Sequence, residues 1–265
     1  MGLDPPYITL FYFSCAWRTL LCIKAQVHEC TNLVESDLGG TEFHLGEFTA
    51  ARGHLEQGIG VYDRHRHGPL IFQHGEDTGI VCLSYAAWTL QVLGYSDQAL
   101  QRSQEALRLA QELAHPFSEG FALGHAVMLH QQRREWQVAQ DQEEALMALA
   151  REQGFAHLLA LATILRGRTL AERGQGEEAS AQMCQDIAAC RAIGGELGQP
   201  YYLALLAEAY GKAGRGAEGL RVLAEALARA QQTGEHWYDA ELYRLTGTLT
   251  LQSKVQSPQH PAPNT

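Results

Sequence analysis

The 265 residues are 46% hydrophobic and 19% charged, enough apolar content to bury a core and too little charge for a disordered or fibrous chain. With 20 basic against 30 acidic residues the formal charge is −10, the wrong sign for affinity drawn from neutralised phosphates, which argues against a nucleic-acid partner. Six cysteines, Cys15, Cys22, Cys30, Cys82, Cys184 and Cys190, form no C-x-x-C pair. They are too sparse for a disulfide scaffold and too scattered for a zinc knuckle, and read as reduced, buried thiols of a cytoplasmic protein.

The chain opens on an apolar run, Tyr7 to Ile23 (YITLFYFSCAWRTLLCI), near the lower length limit for a bilayer span but interrupted by Arg18. The preceding MGLDPP supplies Asp4 and no basic residue, which argues against an export signal as well as a membrane span. Residues 1–32 are therefore a divergent apolar segment, either a buried helix or a start not native to the domain that follows.

From residue 33 onward the sequence repeats. The segments LGEFTAARGHLEQGIGVYD, LGYSDQALQRSQEALRLAQ, RREWQVAQDQEEALMALAR, RGQGEEASAQMCQDIAACR and AGRGAEGLRVLAEALARAQ align. Their opening small residues are Ala51, Ala99, Val138, Ala179 and Gly219, with Gly46, Gly94, Arg133, Gly174 and Gly214 five earlier. Twelve residues before the opening series runs a second column, Gly39, Ala87, Ala126, Gly167 and Ala207, continued at Gly247. A small side chain on one helix lets the next cross closely, a glycine between them permits a tight turn, and both demands recur only when one helix pair is stacked repeatedly.

Apolar residues within each unit recur at helical spacing, so the chain is all-α. First helices are predicted near 33–45, 78–93, 117–132, 156–173, 200–213 and 237–252. Second helices are predicted near 48–63, 96–113, 135–152, 177–193 and 216–233, with Gly154, Gly194 and Gly234 following helix ends. A longer connection, Arg64 to Gly79, is rich in His and Gly. The unpaired last helix is expected to cap the stack, and residues 253–265 (SKVQSPQHPAPNT) read as a disordered tail.

These columns resemble the tetratricopeptide repeat, at a period near 40 instead of 34. The phrases LSYAAWTLQVLGYSDQALQRSQEALRLAQELAHPFS, TILRGRTLAERGQGEEA and PYYLALLAEAYGKAG resemble the long C-terminal region of bacterial adenylate/guanylate cyclase and ATPase signalling proteins of the signal-transducing NTPase type. The resemblance covers roughly residues 33 to 252. It implies a right-handed α-solenoid of about five stacked antiparallel helix pairs, and a signalling context. In that family the cyclase and nucleotide-binding domains precede the repeats, and neither is recognisable here, so the expectation is a non-enzymatic chain without a cofactor. The alternatives are a fragment or accessory chain of a cyclase or ATPase, or a small-molecule sensor using the solenoid groove.

The candidate chemical motifs do not withstand their own geometry. Tyr210-Gly211-Lys212-Ala213 lacks the spacing and the hydroxyl of a phosphate loop, and Gly174-Gln175-Gly176 coincides with a repeat turn instead of following a strand. His65, His67 and His74, with Asp63, Glu76 and Asp77, could ligate a divalent metal, but Arg64 and Arg66 stand beside them and a solvated loop collects the same residues. No base lies at helical spacing from Cys82, Cys184 or Cys190, and adjacent carboxylates such as Glu143 and Glu144 point in different directions on a helix. The informative surface is the inner groove that stacked first helices line in tetratricopeptide-like solenoids. The family's groove pattern falls on Trp88, Gln91, Val127, His130, Gln131, Arg168, Glu172, Glu208, Lys212 and Arg244, a strip suited to an extended protein or peptide segment, with a cyclase or NTPase domain as one such partner. Trp88 could instead fill a seam, and Arg168 with Glu172 could be a surface ion pair. The sequence leaves the oligomeric state open.

Overall fold

The computed structural model describes residues 31–68, 71, 75–192 and 194–256, and among these every regular element is a helix. Five antiparallel pairs follow one another: α1 (Thr31–Leu45) with α2 (Phe48–Val61), α4 (Thr78–Val92) with α5 (Ser96–Leu113), α6 (Pro116–Gln132) with α7 (Trp136–Gln153), α8 (Ala156–Glu172) with α9 (Gly176–Ala192), and α10 (Gln199–Lys212) with α11 (Gly216–Thr233). A one-turn helix, α3 (Arg64–His67), lies in the long connection, and α12 (Asp239–Gln256) ends the described chain. Residues 1–30 and 257–265, which hold most of the apolar leader and of the polar tail, lie outside the described residues.

Local chemistry sets the boundaries. The Asp77 side chain accepts from Ile80 N to start α4, and His115 accepts from Ser118 N beside Pro116 at the start of α6. Gly154, Gly194 and Gly234 each adopt positive φ after a second helix, as their positions in the sequence suggest. First and second helices differ in burial. In α4 every residue from Thr78 to Leu90 is buried, whereas α5 buries Ala99, Ser103, Ala106 and Ala110 alone. The reason is position: each first helix packs on its own partner and on the first and second helices of the neighbouring units, and each second helix forms the outer layer.

The small-residue column marks the crossing within each pair. A Cβ on Gly39 would stand 2.5 Å from Leu55 Cγ, and one on Gly167 would stand 2.3 Å from Met183 Cγ. Ala87 and Ala207 are buried at the equivalent place. The third unit corrects the alignment by one residue. Its left-handed turn residue is Arg134 (φ 61), not Arg133, its buried helix-opening residue is Ala139, and Val138 is exposed. Val127, not Ala126, therefore holds the crossing position, and after the first, which starts at Phe48, the second helices begin at residues 96, 136, 176 and 216, a period of 40. The cause of the slip is plain: this unit places a valine and an arginine where the others place a small residue and a glycine. Gly247 is the other correction, since its Cβ direction is open with nothing within 4 Å, and no second helix crosses it among the described residues.

One contact runs against the nearest-neighbour logic. The turn between α11 and α12 reaches the first unit: His236 N and Trp237 N both donate to His44 O, at 2.8 and 3.3 Å. Glu235 and His44 are buried 3.6 Å apart, and the Trp237 indole stacks on Trp88 at 5.2 Å while meeting Phe43 at 5.1 Å and Tyr201 at 5.2 Å. First and last units thus touch, and the interior of the solenoid is closed around this aromatic cluster.

Two of the three glycines in the small column, Gly167 and Gly247, separate crowding from helix propensity. Gly167→Ala forces Met183 aside and is expected to destabilise by about 1–3 kcal/mol. Gly247→Ala meets no neighbour within a helix and is expected to stabilise by up to about 1 kcal/mol. Urea denaturation followed by circular dichroism checks both signs.

Candidate functional site

On one side of Trp237 a cavity of ≈ 940 Å³ opens between the C-terminal halves of α4, α6, α8 and α10 and the start of α12. Seven of the ten groove residues expected from sequence line it: Gln91, Gln131, Arg168, Glu172, Glu208, Lys212 and Arg244. Repetition explains the convergence. Gln91 and Gln131 stand 40 residues apart on successive first helices, as do Arg168 and Glu208, and Glu172 and Lys212, so each pair projects from the same face into the same bore.

Three expected residues lie elsewhere. Trp88 is 5% exposed and belongs to the aromatic core, stacked on Trp237 with its indole N–H donating to His125 O at 3.1 Å. Val127 is fully buried at the crossing with α7, as the corrected register requires. His130 is buried and turned to the α6–α7 turn, where its Nδ1 lies 2.6 Å from Glu135 Oε2. The sequence in turn missed Arg134 and Trp136, which the shifted register brings to the rim, and Trp237, Tyr238 and Glu241, which enter from the long-range turn before α12.

Two of the groove's ion pairs link α8 to α10, and a third runs along α12. Arg168 meets Glu208 at 3.3 Å and Lys212 meets Glu172 at 2.7 Å, so the expected Arg168–Glu172 surface pair is replaced by two links between α8 and α10. Arg244 chelates Glu241 one turn earlier on α12, at 2.6 and 2.5 Å. Four cations, Arg134, Arg168, Lys212 and Arg244, face three carboxylates, Glu172, Glu208 and Glu241, an excess of one positive charge in a chain of net −10. The Arg168 guanidinium also lies over the Trp136 ring at 6.0 Å; its Nε faces Glu208 as an ion pair without hydrogen-bond geometry, and its Nη1 is buried without a hydrogen bond. Burial works against its charge, but Tyr238, Tyr201, Glu208 and Glu172 outweigh burial and raise its pKa above the ordinary arginine value.

Gln131 has a second duty. Its Nε2 donates to Glu143 Oε1 (3.0 Å), Leu165 O (2.8 Å) and Thr169 Oγ1 (3.2 Å), and Thr169 Oγ1 donates to the same Glu143 oxygen at 2.5 Å. This buried network joins α6, α7 and α8 beneath the groove. Burial raises the Glu143 pKa despite both donors.

The remaining sequence candidates are structural. Asp63 caps α3 by accepting from His65 N and Arg66 N, and Asp77 accepts from Ile80 N and, at 2.9 Å, from the Tyr62 hydroxyl. His67 Nδ1 accepts from Asp63 N at 2.8 Å and its ring stacks on Tyr62. His74 lies outside the described residues, and among the described residues no three His, Cys, Asp or Glu side chains cluster to hold a metal. Cys82 and Cys190 are buried, whereas Cys184 is exposed with its Sγ 3.1 Å from the Tyr210 hydroxyl, contrary to the expected burial. No described helix is long and apolar enough to cross a membrane.

Known structures share this architecture. A Rap protein solved in complex with competence and sporulation factor superposes with a TM-score of 0.61 at 13% identity, over 95% of this chain and 73% of that one. The apo form of RapI gives 0.56 at 8% identity over 94% and 99%, and a thermophilic TPR protein of Thermus thermophilus gives 0.50 at 19% over 83% and 99%. The fold is a tetratricopeptide-type helical solenoid. No family model matches the sequence. An uncharacterized protein of Rhizobium meliloti (strain 1021) is 22% identical over 231 residues, 86% of this chain, and the chain spans 22% of the length of that curated relative.

The buried carboxyl beneath the groove gives a pH signature. Because the Glu143 pKa is raised in the folded state, its contribution is fully favourable below the unfolded value near 4.5 and is lost as pH rises through the folded value. Glu143→Gln should match the parent near pH 4.5 and gain on it by pH 7.5. The expected gain is roughly 2–4 °C in Tm, the shift that about 1 kcal/mol gives a chain of this size. Thermal melts at the two pH values test this.

Proposed function

We propose that this chain is a non-enzymatic helical-repeat module that binds an extended segment of a protein or peptide partner in its interior groove. The observation that carries the reading is the ≈ 940 Å³ cavity whose walls are built by the same face of successive first helices. Such a wall presents side chains at fixed intervals, which is how a solenoid recognises a chain lying along it. The excess cation in the groove and the Arg168 Nη1, which makes no hydrogen bond, favour a segment carrying an acidic side chain, because a carboxylate there would gain a charge-assisted hydrogen bond. The Rap protein of the same fold, solved with competence and sporulation factor, supports ligand binding as a use of this architecture.

The setting we infer is a bacterial, cytoplasmic signalling system in which binding regulates a cyclase or NTPase domain. Support comes from the sequence phrases that resemble the C-terminal repeats of such proteins, and from the length of the Rhizobium relative, which is several times the span shared with this chain. A second reading, an accessory chain of an active cyclase or ATPase, is separated from the first by assaying cyclic-nucleotide formation and ATP hydrolysis of the purified protein. Turnover abolished by a defined substitution would replace the non-enzymatic reading.

A displayed peptide library selected on the purified chain tests recognition. Selected sequences are expected to be enriched in Asp and Glu, and their binding to weaken with salt. Arg168→Met is expected to lower affinity by about tenfold or more, as truncating one partner of a buried charged pair does. Val92→Ala, at the edge of the same groove, should change it little. Selection of no consensus, or affinities indifferent to Arg168→Met, would refute the groove. Trp88 is unsuitable for this test because it belongs to the core.

A further inference from the structure

On the other side of Trp237 lies a second cavity, of ≈ 290 Å³, which shares only that indole with the groove. It is partly open and its surface is more apolar than polar, so a guest with an apolar face would gain by leaving water for it. Aromatic rings dominate its wall: Tyr85, Trp88, Phe117 and Phe121 face it from α4 and α6, opposite Tyr202 and Trp237. No lysine or arginine lines it, and the two carboxylates that do, Asp37 and Glu76, already interact within the chain.

His125 is one of several polar groups in this wall that could meet a guest, Trp237 Nε1 among the others. His125 Nδ1 donates to Phe121 O at 2.9 Å, which fixes the tautomer and leaves Nε2 as an acceptor with no hydrogen-bond partner among the described residues. The imidazole sits between the Phe121 and Trp88 rings, with centroids at 4.1 and 4.6 Å. Burial pushes its pKa down to about 4, so the ring is neutral at physiological pH and accepts without carrying charge.

We propose that this cavity is a binding site for a small uncharged aromatic molecule bearing one O–H or N–H donor, its ring held by the aromatic wall and its donor directed to His125 Nε2. An anion finds no cation there, and a cation would have to shed water for a wall whose carboxylates are engaged. Because Trp237 is wall to both cavities, the guest sits one indole away from the groove.

Calorimetric titration of the full chain with 2-naphthol tests the site, with naphthalene, 2-naphthoate and naphthalen-2-ylmethylammonium as comparators. We expect one saturable site for 2-naphthol and affinities at least about tenfold weaker for both ions. His125→Phe keeps a ring and removes the acceptor. It should weaken 2-naphthol roughly 3–10-fold, the worth of one net hydrogen bond, and leave naphthalene unchanged. Leu161→Trp, which fills the cavity, should abolish binding of both, its helical circular dichroism being checked alongside. Absence of saturable 2-naphthol binding to the full chain would overturn the proposal. So would equal binding of either ion, or a His125→Phe variant that does not distinguish 2-naphthol from naphthalene.

Discussion

The Trp237 indole is wedged between the first and last units of the stack, face to face with Trp88 and in contact with Phe43 and Tyr201. A row of helix pairs held by nearest-neighbour contacts alone would be an open spring, free to change curvature at modest cost. Here the row returns to its own beginning, and the backbone of residues 236–237 is hydrogen-bonded to the end of α1. Buried aromatic area is the largest contribution a single side chain makes to such a junction, roughly 3–5 kcal/mol when Trp is truncated to Ala. The polar groove and the aromatic cavity exist as separate compartments because this one ring stands between them.

The repeat and its helices were legible in the sequence because the crossing constraint is severe. Gly39 against Leu55 and Gly167 against Met183 leave no room for a methyl group, so the chain writes small residues at that place and glycine at the turns. Where the constraint is relaxed, the writing fades. Val127 and Arg134 hold positions that other units give to small residues and glycine, and the apparent period wavered by one residue in that unit. The groove was legible to the extent that it follows the period: Arg168 with Glu208, and Glu172 with Lys212. Trp237 and Tyr238 were not legible, because the contact that brings them to the groove spans almost the whole repeat domain and no local pattern encodes it.

Polar organisation follows the same division. Beneath the groove, Gln131, Glu143 and Thr169 tie three consecutive helices through hydrogen bonds that reach no solvent, a network in which each member fixes the others. At the groove surface, ion pairs bridge neighbouring helices and orient the side chains that a ligand would meet. Gln131 takes part in both layers, its amide nitrogen holding the scaffold and its oxygen left without a partner. A change at this residue therefore disturbs the scaffold and the groove wall together, whereas Lys212 and Arg244 are exposed and separable from the core.

Arg134 shows how the stack accommodates an exception. Four turns of this kind use glycine at φ between 76 and 88, and the third uses an arginine at 61. For a residue with a Cβ that conformation costs about 1–2 kcal/mol, a burden the unit carries while placing a cation at the mouth of the groove. Evolution under selection for thermal resilience alone would drift this codon toward glycine. Glycine at this position would therefore relax the turn and at the same time remove a positive charge from the mouth of the groove.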